Sequence, residues 1–181
     1  VIAVDGDHTL WSGVVAEDGI DGVRIEGPHA ALQCALVEQN DSGRLVCLLS
    51  KNEESDVRHL FESHPEMPLR WSHLVAHRVD WNPKPGNLRS VISGLDLGLD
   101  SVVFLDDNPI ECAEMRAGCP SVTTVRVPTD AGQLASFADH LWLLDQSKVT
   151  AEDRNRTKMY RESASRAELR RSVDSLRSFL D

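Results

Sequence analysis

Three short apolar runs, each ending in a polar cluster, constrain this chain more than any other feature. Val1-Ile2-Ala3-Val4 runs into Asp5-Gly6-Asp7-His8-Thr9, and Leu45-Val46-Cys47-Leu48-Leu49 runs into Ser50-Lys51-Asn52. Ser101-Val102-Val103-Phe104-Leu105 runs into Asp106-Asp107-Asn108-Pro109. Such runs, apolar without alternation, read as strands buried on both faces, as in a parallel sheet. Helical patterns lie between them. One opens at Pro28 and ends at Asp41-Ser42-Gly43; others cover residues 53–64, 87–95 and 109–117. Residues 122–127 read as a further strand, and residues 69–79 hold a short strand or a turn of helix. Strands alternating with helices predict an α/β fold, a parallel sheet with right-handed crossovers and helices on both faces.

The pattern breaks at Thr150. Residues 1–149 carry 11 Lys/Arg against 23 Asp/Glu, whereas residues 150–181 carry 8 against 6. The chain therefore divides into an α/β body over 1–149 and C-terminal helices over 150–181 that pack on it or extend from it. Thr150-Ala151-Glu152-Asp153 resembles a capping box with Asp in the usual Glu position, and residues 173–180 read as another helix. Residues 11–27, rich in Gly, Val and Asp, read as a small β-hairpin flap.

The net charge of −10 disfavours a nucleic-acid-coating surface. No apolar run approaches the roughly 18 residues that span a bilayer, so no membrane segment is expected. The chain opens in a strand rather than in a basic, then apolar, leader. A cytoplasmic setting with reduced thiols is the expectation, with no C-x-x-C pair among Cys34, Cys47, Cys112 and Cys119. These cysteines, Trp71 and Trp81 read as packing residues; Trp11 follows the first polar loop and is placed to line a pocket.

In an open α/β sheet, ligands bind beyond the carboxyl ends of the strands. A lone Asp there is usually a turn residue, but three successive strand ends carry polar clusters, and Lys84 lies in the loop before the third. Asp5 and Asp7, two apart on extended chain, can point the same way. With Asp106 or Asp107 from a neighbouring strand they would repel one another unless a cation sat between them. A hard, all-oxygen donor set with room for water and phosphate suits Mg²⁺. Carboxylates also act as nucleophiles that form aspartyl-phosphates. Lys84 would neutralise nucleophile and phosphoryl oxygens, and the hydroxyls of Thr9 and Ser50, with the chain after Ser50, would hold phosphate.

In this order, Asp5-x-Asp7-x-Thr9, Ser50, Lys84 and Asp106-Asp107 resemble the four motifs of the haloacid dehalogenase (HAD) superfamily. The longer segments 5–22, 49–57, 81–84, 97–101 and 104–112, and Thr150-x-Glu152-Asp153-x-x-Arg156 with Tyr160, resemble its FkbH-like branch. The resemblance implies a HAD-type Rossmann-like fold with a small flap and no large cap domain. It implies catalysis by Asp5 as nucleophile, Asp7 as acid and base, and Lys84. Mg²⁺ would sit on Asp5, the Asp7 carbonyl, and the Asp106/Asp107 pair, and Thr9, Ser50, Lys51 and Asn52 would contact phosphate or substrate. FkbH-like domains remove phosphate from 1,3-bisphosphoglycerate and deliver glyceryl to an acyl carrier protein in polyketide biosynthesis.

Three positions depart from that branch. Leu49 stands where a cysteine usually precedes Ser-Lys-Asn and holds the acyl group; Cys47 lies two residues back on the same strand face. His8 stands where Asn is more frequent, and Gly6 replaces a larger apolar residue, giving the loop more freedom. The missing thiol leaves three readings open: phosphatase with glyceryl transfer, phosphatase alone, or an inactive domain that binds a carrier protein.

Overall fold

Five strands pair in parallel in the order β3-β2-β1-β4-β5: β1 (Ile2–Val4), β2 (Val46–Ser50), β3 (Leu74–Val79), β4 (Val103–Asp106) and β5 (Thr123–Arg126). The computed structural model describes residues 1–140, 150, 153, 155–163 and 166. The expected helix over 173–180 lies outside them. Two-residue alternation sends strand side chains into two cores. Ile2, Val4, Val46, Leu48 and Leu105 face one core with α2 (Gly27–Asp41), α3 (Glu54–Ser63) and α6 (Ala131–Asp139). Ala3, Cys47, Leu49 and Phe104 face the other with α4 (Lys84–Gly94) and α5 (Pro109–Gly118). This is the α/β architecture the apolar runs predict, helices on both faces included.

The 69–79 segment holds both expected elements, a 3-10 turn (Trp71–His73) and then β3. Its ambiguity comes from His77 and Arg78, which interrupt the apolar run because β3 is an edge strand and part of it faces solvent. Helix α4 begins at Lys84 rather than at Asn87, because Pro85 sits in its first turn, where a missing N–H leaves no bond unmade. Helix α6 has no counterpart among the helical patterns of the sequence. Asp130 caps it by accepting a hydrogen bond from the Gln133 N–H at 3.0 Å, and Leu134 and Ala138 are buried in the first core.

The expected β-hairpin flap does not form. Ser12 and Arg24 make a single antiparallel bridge, with reciprocal backbone bonds of 2.9 and 3.0 Å. Between them lie a helical turn, α1 (Val15–Asp18), and a 3-10 turn (Ile20–Gly22). The Asp18 carboxylate accepts a bond from the Val14 N–H at 2.8 Å, closing the helical turn locally where a strand would need a partner.

At the C-terminal side, Thr150 and Asp153 form the capping box. The Thr150 N–H and hydroxyl donate to Asp153 at 3.0 and 2.8 Å, and the Asp153 N–H donates to the Thr150 hydroxyl at 3.2 Å. The helical stretch 155–163 packs on the body: the Asn40 amide donates to the Thr157 hydroxyl at 2.7 Å, and Arg161 donates to the Ser72 carbonyl at 2.7 Å. Gly43 is required beneath it. Its φ of +90° is left-handed, and a Cβ there would lie 2.5 Å from the Asp153 Cβ. Cys47, Cys112 and Cys119 are core residues as expected, but Cys34 is exposed on α2.

Candidate active site

The chain leaves β1 for β2 on one side of the sheet and reaches β4 on the other, so the strand order reverses beside β1. That reversal opens a crevice at the carboxyl ends of β1 and β4. Asp5 follows β1 directly, held by its N–H to the Leu105 carbonyl at 2.9 Å, and Asp106 ends β4. Ser50 ends the adjacent β2. The three clusters, 45 to 101 residues apart in sequence, are thereby side by side.

Lys84 supplies the centre. The Pro83 N-cap turns the chain inward from β3, leaving the Lys84 side chain 3% exposed. Its ammonium donates to Asp5 Oδ1 at 2.5 Å and to Asp106 Oδ2 at 2.7 Å, and it also pairs with Glu111. One cation thus faces three carboxylates. Burial pushes the Asp5 carboxyl up to about 8, Lys84 working against it and Asp106 with it. Burial likewise raises Asp106, to about 6. Burial would lower Lys84, but the three carboxylates outweigh it and hold the ammonium charged. Burial would raise Glu111, but Lys84 and then Lys51 hold its carboxyl below the ordinary range.

The sequence alone assigns Glu111 no role. It lies in the first turn of α5, where a carboxylate reads simply as a complement to the helix dipole. Carboxylate oxygens of Asp5, Asp106 and Glu111 lie within 4.8 Å of one another, a grouping that could hold a metal ion. Among the described residues, the Asp7 and Asp107 carboxylates stand outside that group. Asp7 Oδ1 accepts from Trp11 Nε1 at 2.8 Å and from the Val15 N–H at 3.2 Å, and Oδ2 accepts from Asn52 Nδ2 at 2.8 Å. The Thr9 hydroxyl donates to Asp107 at 3.3 Å and accepts from the Asp107 N–H at 3.2 Å. Thr9 is fully buried and ties the first loop to the end of β4. Lys51 reaches Glu111 at 2.9 Å, and Asn52 also donates to the Ser50 hydroxyl at 3.0 Å.

The first loop is a tight turn, its Gly6 carbonyl accepting from the Leu10 N–H at 2.8 Å. His8 occupies a left-handed φ of +57°, a region that Asn, Asp and His tolerate best, which accounts for the residue types at this position. Gly6 serves differently from the expectation. Its φ is not positive, so conformational freedom is not its reason. A Cβ there would lie 2.7 Å from Trp11 Cζ2 and 2.9 Å from the Ser50 hydroxyl oxygen. The fully buried Trp11 ring takes the space that a larger residue at position 6 would fill. Gly6→Ala is expected to cost about 1–3 kcal/mol through overpacking, measured by urea unfolding, and to lower turnover as Trp11 shifts.

Trp71 packs edge-on against Phe61, but Trp81 is 60% exposed, so the packing expectation fails for it. Its indole N–H donates to Glu53 at 2.9 Å instead. Leu49 and Cys47 are both fully buried in the second core, and burial pushes the Cys47 thiol up to about 12.

No protein-family profile matches the chain, and no curated protein does. Among solved structures, the chain is similar to the N-terminal part of the protein BF1531 from Bacteroides fragilis, which contains a phosphatase domain complexed with Mg. The identity is 30% and the TM-score 0.74, over 82% of this chain and 40% of that one. A HAD family hydrolase from Streptomyces avermitilis matches at 16% identity and a TM-score of 0.46, over 80% of this chain and 92% of that one, too distant to carry weight. This chain spans about two fifths of the length of the Bacteroides structure. The β3-β2-β1-β4-β5 parallel sheet, its helices on both faces and the strand-end site thus give this chain a Rossmann-like α/β fold, similar to that of the Bacteroides phosphatase domain.

Proposed function

We propose that this chain is a magnesium-dependent phosphohydrolase in which Asp5 attacks a phosphate ester, with a glyceryl phosphate of the 1,3-bisphosphoglycerate kind as substrate. The observation that carries the reading is the convergence of Asp5, Asp106 and Glu111 on Lys84 at the strand-order reversal. The Mg-bound phosphatase domain of the Bacteroides protein supports it.

The donor set fits the ion. Three buried carboxylates within 4.8 Å of one another share Lys84, with Lys51 on Glu111 alone, a set of hard oxygen donors whose negative charge still exceeds the positive. Asp5 and Asp106 would hold the ion, with Glu111 beside them and the Asp7 carbonyl and Asp107 as further donors. Bound there, Mg²⁺ would neutralise phosphoryl oxygens and hold them for in-line displacement. Asp5 attacks phosphorus while Lys84 orients its carboxylate through the 2.5 Å bond and offsets charge. Asp7 gives a proton to the leaving oxygen, then takes one from the water that hydrolyses the phospho-Asp5 intermediate.

The thiols favour hydrolysis over acyl capture. A nucleophilic cysteine needs an accessible, electropositive setting. Cys47 is in the core, and Cys112, also buried, has its thiol pushed up to about 11 by burial and then by Asp106. Delivery of glyceryl to an acyl carrier protein would therefore use the carrier's own thiol. Incubation with 1,3-bisphosphoglycerate and Mg²⁺, with and without holo carrier protein, tests this by phosphate release and intact mass. Phosphate released equally in both arms supports hydrolysis; glyceryl on the carrier supports transfer; no phosphate in either arm removes this substrate, and none from any phosphate ester removes the reading.

Stability should report the same charge excess. Asp5 and Asp106 keep protons in the folded state, to about pH 8 and 6, that the unfolded chain releases near pH 4. The folded state binds more protons across that interval, so chelator-treated protein should lose stability as pH rises from 4 to 8. Millimolar Mg²⁺ should raise Tm more at pH 8 than at pH 5.5, followed by differential scanning calorimetry.

A further inference from the structure

We propose that Trp11 and Asn52 are positioning residues that clamp the Asp7 carboxylate for proton transfer, an inference that rests on the phosphohydrolase reading. Asp7 lies on the loop after β1, where neither strand pairing nor the Lys84 cluster fixes its side chain. Three donors do so: the Val15 N–H reaches Oδ1 at 3.2 Å, and two shorter bonds come from side chains, one on each oxygen. Trp11 Nε1 donates to Oδ1 at 2.8 Å, and Asn52 Nδ2, from the loop after β2, donates to Oδ2 at 2.8 Å. Bonds to both oxygens fix the carboxylate plane, which a single bond would leave free to rotate.

Both side-chain donors are themselves immobilised. The Trp11 indole is fully buried, lies against Gly6 and meets Phe61 edge-on with ring centres 6.2 Å apart. Asn52 is 1% exposed, and its amide also donates to the Ser50 hydroxyl at 3.0 Å. The orientation of that amide has a cost. Asn52 Oδ1 is buried without a hydrogen-bond partner, and an unsatisfied buried acceptor is unfavourable. Turning the amide over would place Oδ1 against the Asp7 carboxylate, oxygen against oxygen, so the carboxylate dictates the amide's direction. Asn52 thus moves from the substrate contact expected from sequence to a support for Asp7, and Ser50, bonded to the same amide, joins the phosphate side of the site to the acid-base side.

Trp11→Phe keeps an aromatic ring while removing the donor and part of the indole's volume; Asn52→Ala removes the second side-chain donor, and Asn52→Gln retains an amide on a longer arm. Turnover of the full chain with Mg²⁺ is compared for p-nitrophenyl phosphate, whose leaving group departs unprotonated, and for an alkyl phosphate, whose leaving oxygen needs a proton. Trp11→Phe and Asn52→Ala should lower kcat/KM on the alkyl ester, which reports transfer to Asp5 ahead of the shared hydrolysis step, roughly tenfold or more, part of what general acid catalysis contributes. KM should stay within about twofold, p-nitrophenyl phosphate should lose less, and Asn52→Gln should recover part of the loss. Trp11→Phe, which keeps an aromatic ring in place, keeps the test valid where Asn52→Ala unfolds, as judged by Tm. Equal losses of kcat/KM on both esters, or a rise in KM with kcat intact, overturn the clamp while Asp5→Asn remains inactive. Turnover that survives Asp5→Asn overturns the phosphohydrolase reading and the clamp with it.

Discussion

Asp5→Asn should lower kcat by about 10⁴-fold or more, the scale on which removal of a covalent nucleophile acts, while the chain stays folded. The stability arm is the more telling one. Asn keeps the side-chain shape and removes one of three carboxylates crowded around a single ammonium. Asp106 and Glu111 still satisfy Lys84. Without metal the variant should therefore unfold at a temperature equal to or above that of the original chain, because a carboxyl that burial already disfavours as an anion is gone. Addition of Mg²⁺ should raise the variant's Tm less, since a charged ligand is missing. Phosphate release and calorimetry on the same preparation check both arms. A large loss of stability without metal would mean that the Asp5 carboxylate is not in excess around Lys84.

Lys84→Met should act in the opposite sense on stability. The ammonium is the cation that Asp5, Asp106 and Glu111 share, and its side chain is 3% exposed. Removing it strands Asp5 and Asp106 in the interior, Glu111 keeping Lys51, at about 3–5 kcal/mol. The loss depends on pH with a definite sign. Below about pH 6, Asp106 and Asp5 are able to protonate and shed their repulsion; above about pH 8 both are charged. Without Lys84 these carboxyls titrate higher still, so the deficit should be smallest near pH 5 and grow toward pH 8. Urea unfolding at the two pH values measures it, and Mg²⁺ should recover part of the deficit at pH 8. Turnover should fall by at least 10²-fold, in line with the loss of an electrostatic stabiliser.

The two variants also show where the sequence was informative. Asp5, Asp106 and Lys84 were legible because each follows a local signal: an apolar run that stops, or a proline-bracketed turn. Glu111 was not, because a carboxylate in a first helical turn has an ordinary explanation and its lysine partner is 27 residues away in sequence. Trp81 misled for a similar reason. A tryptophan is usually buried, and only its place on a loop, with its N–H held by Glu53, leaves it 60% exposed. The flap misled because Gly, Val and Asp alternate in a way that fits a hairpin, yet Asp18 closes a helical turn on Val14 before a strand can pair.

The sequence by itself determined the α/β fold, the strand ends and the types of group that gather there. Apolar runs and the residues that interrupt them are written in short stretches of chain, and burial of those runs is favoured whatever lies elsewhere. Only the tertiary structure decided which oxygen meets which donor. It turned Asn52 toward Asp7, Lys51 toward Glu111 and Thr9 toward Asp107, and it seated Trp11 over Gly6. Those choices follow from the order in which β2, β1 and β4 lie in the sheet. A hydrogen bond is settled within a few tenths of an ångström between groups as many as 117 residues apart, a distance no local pattern can encode.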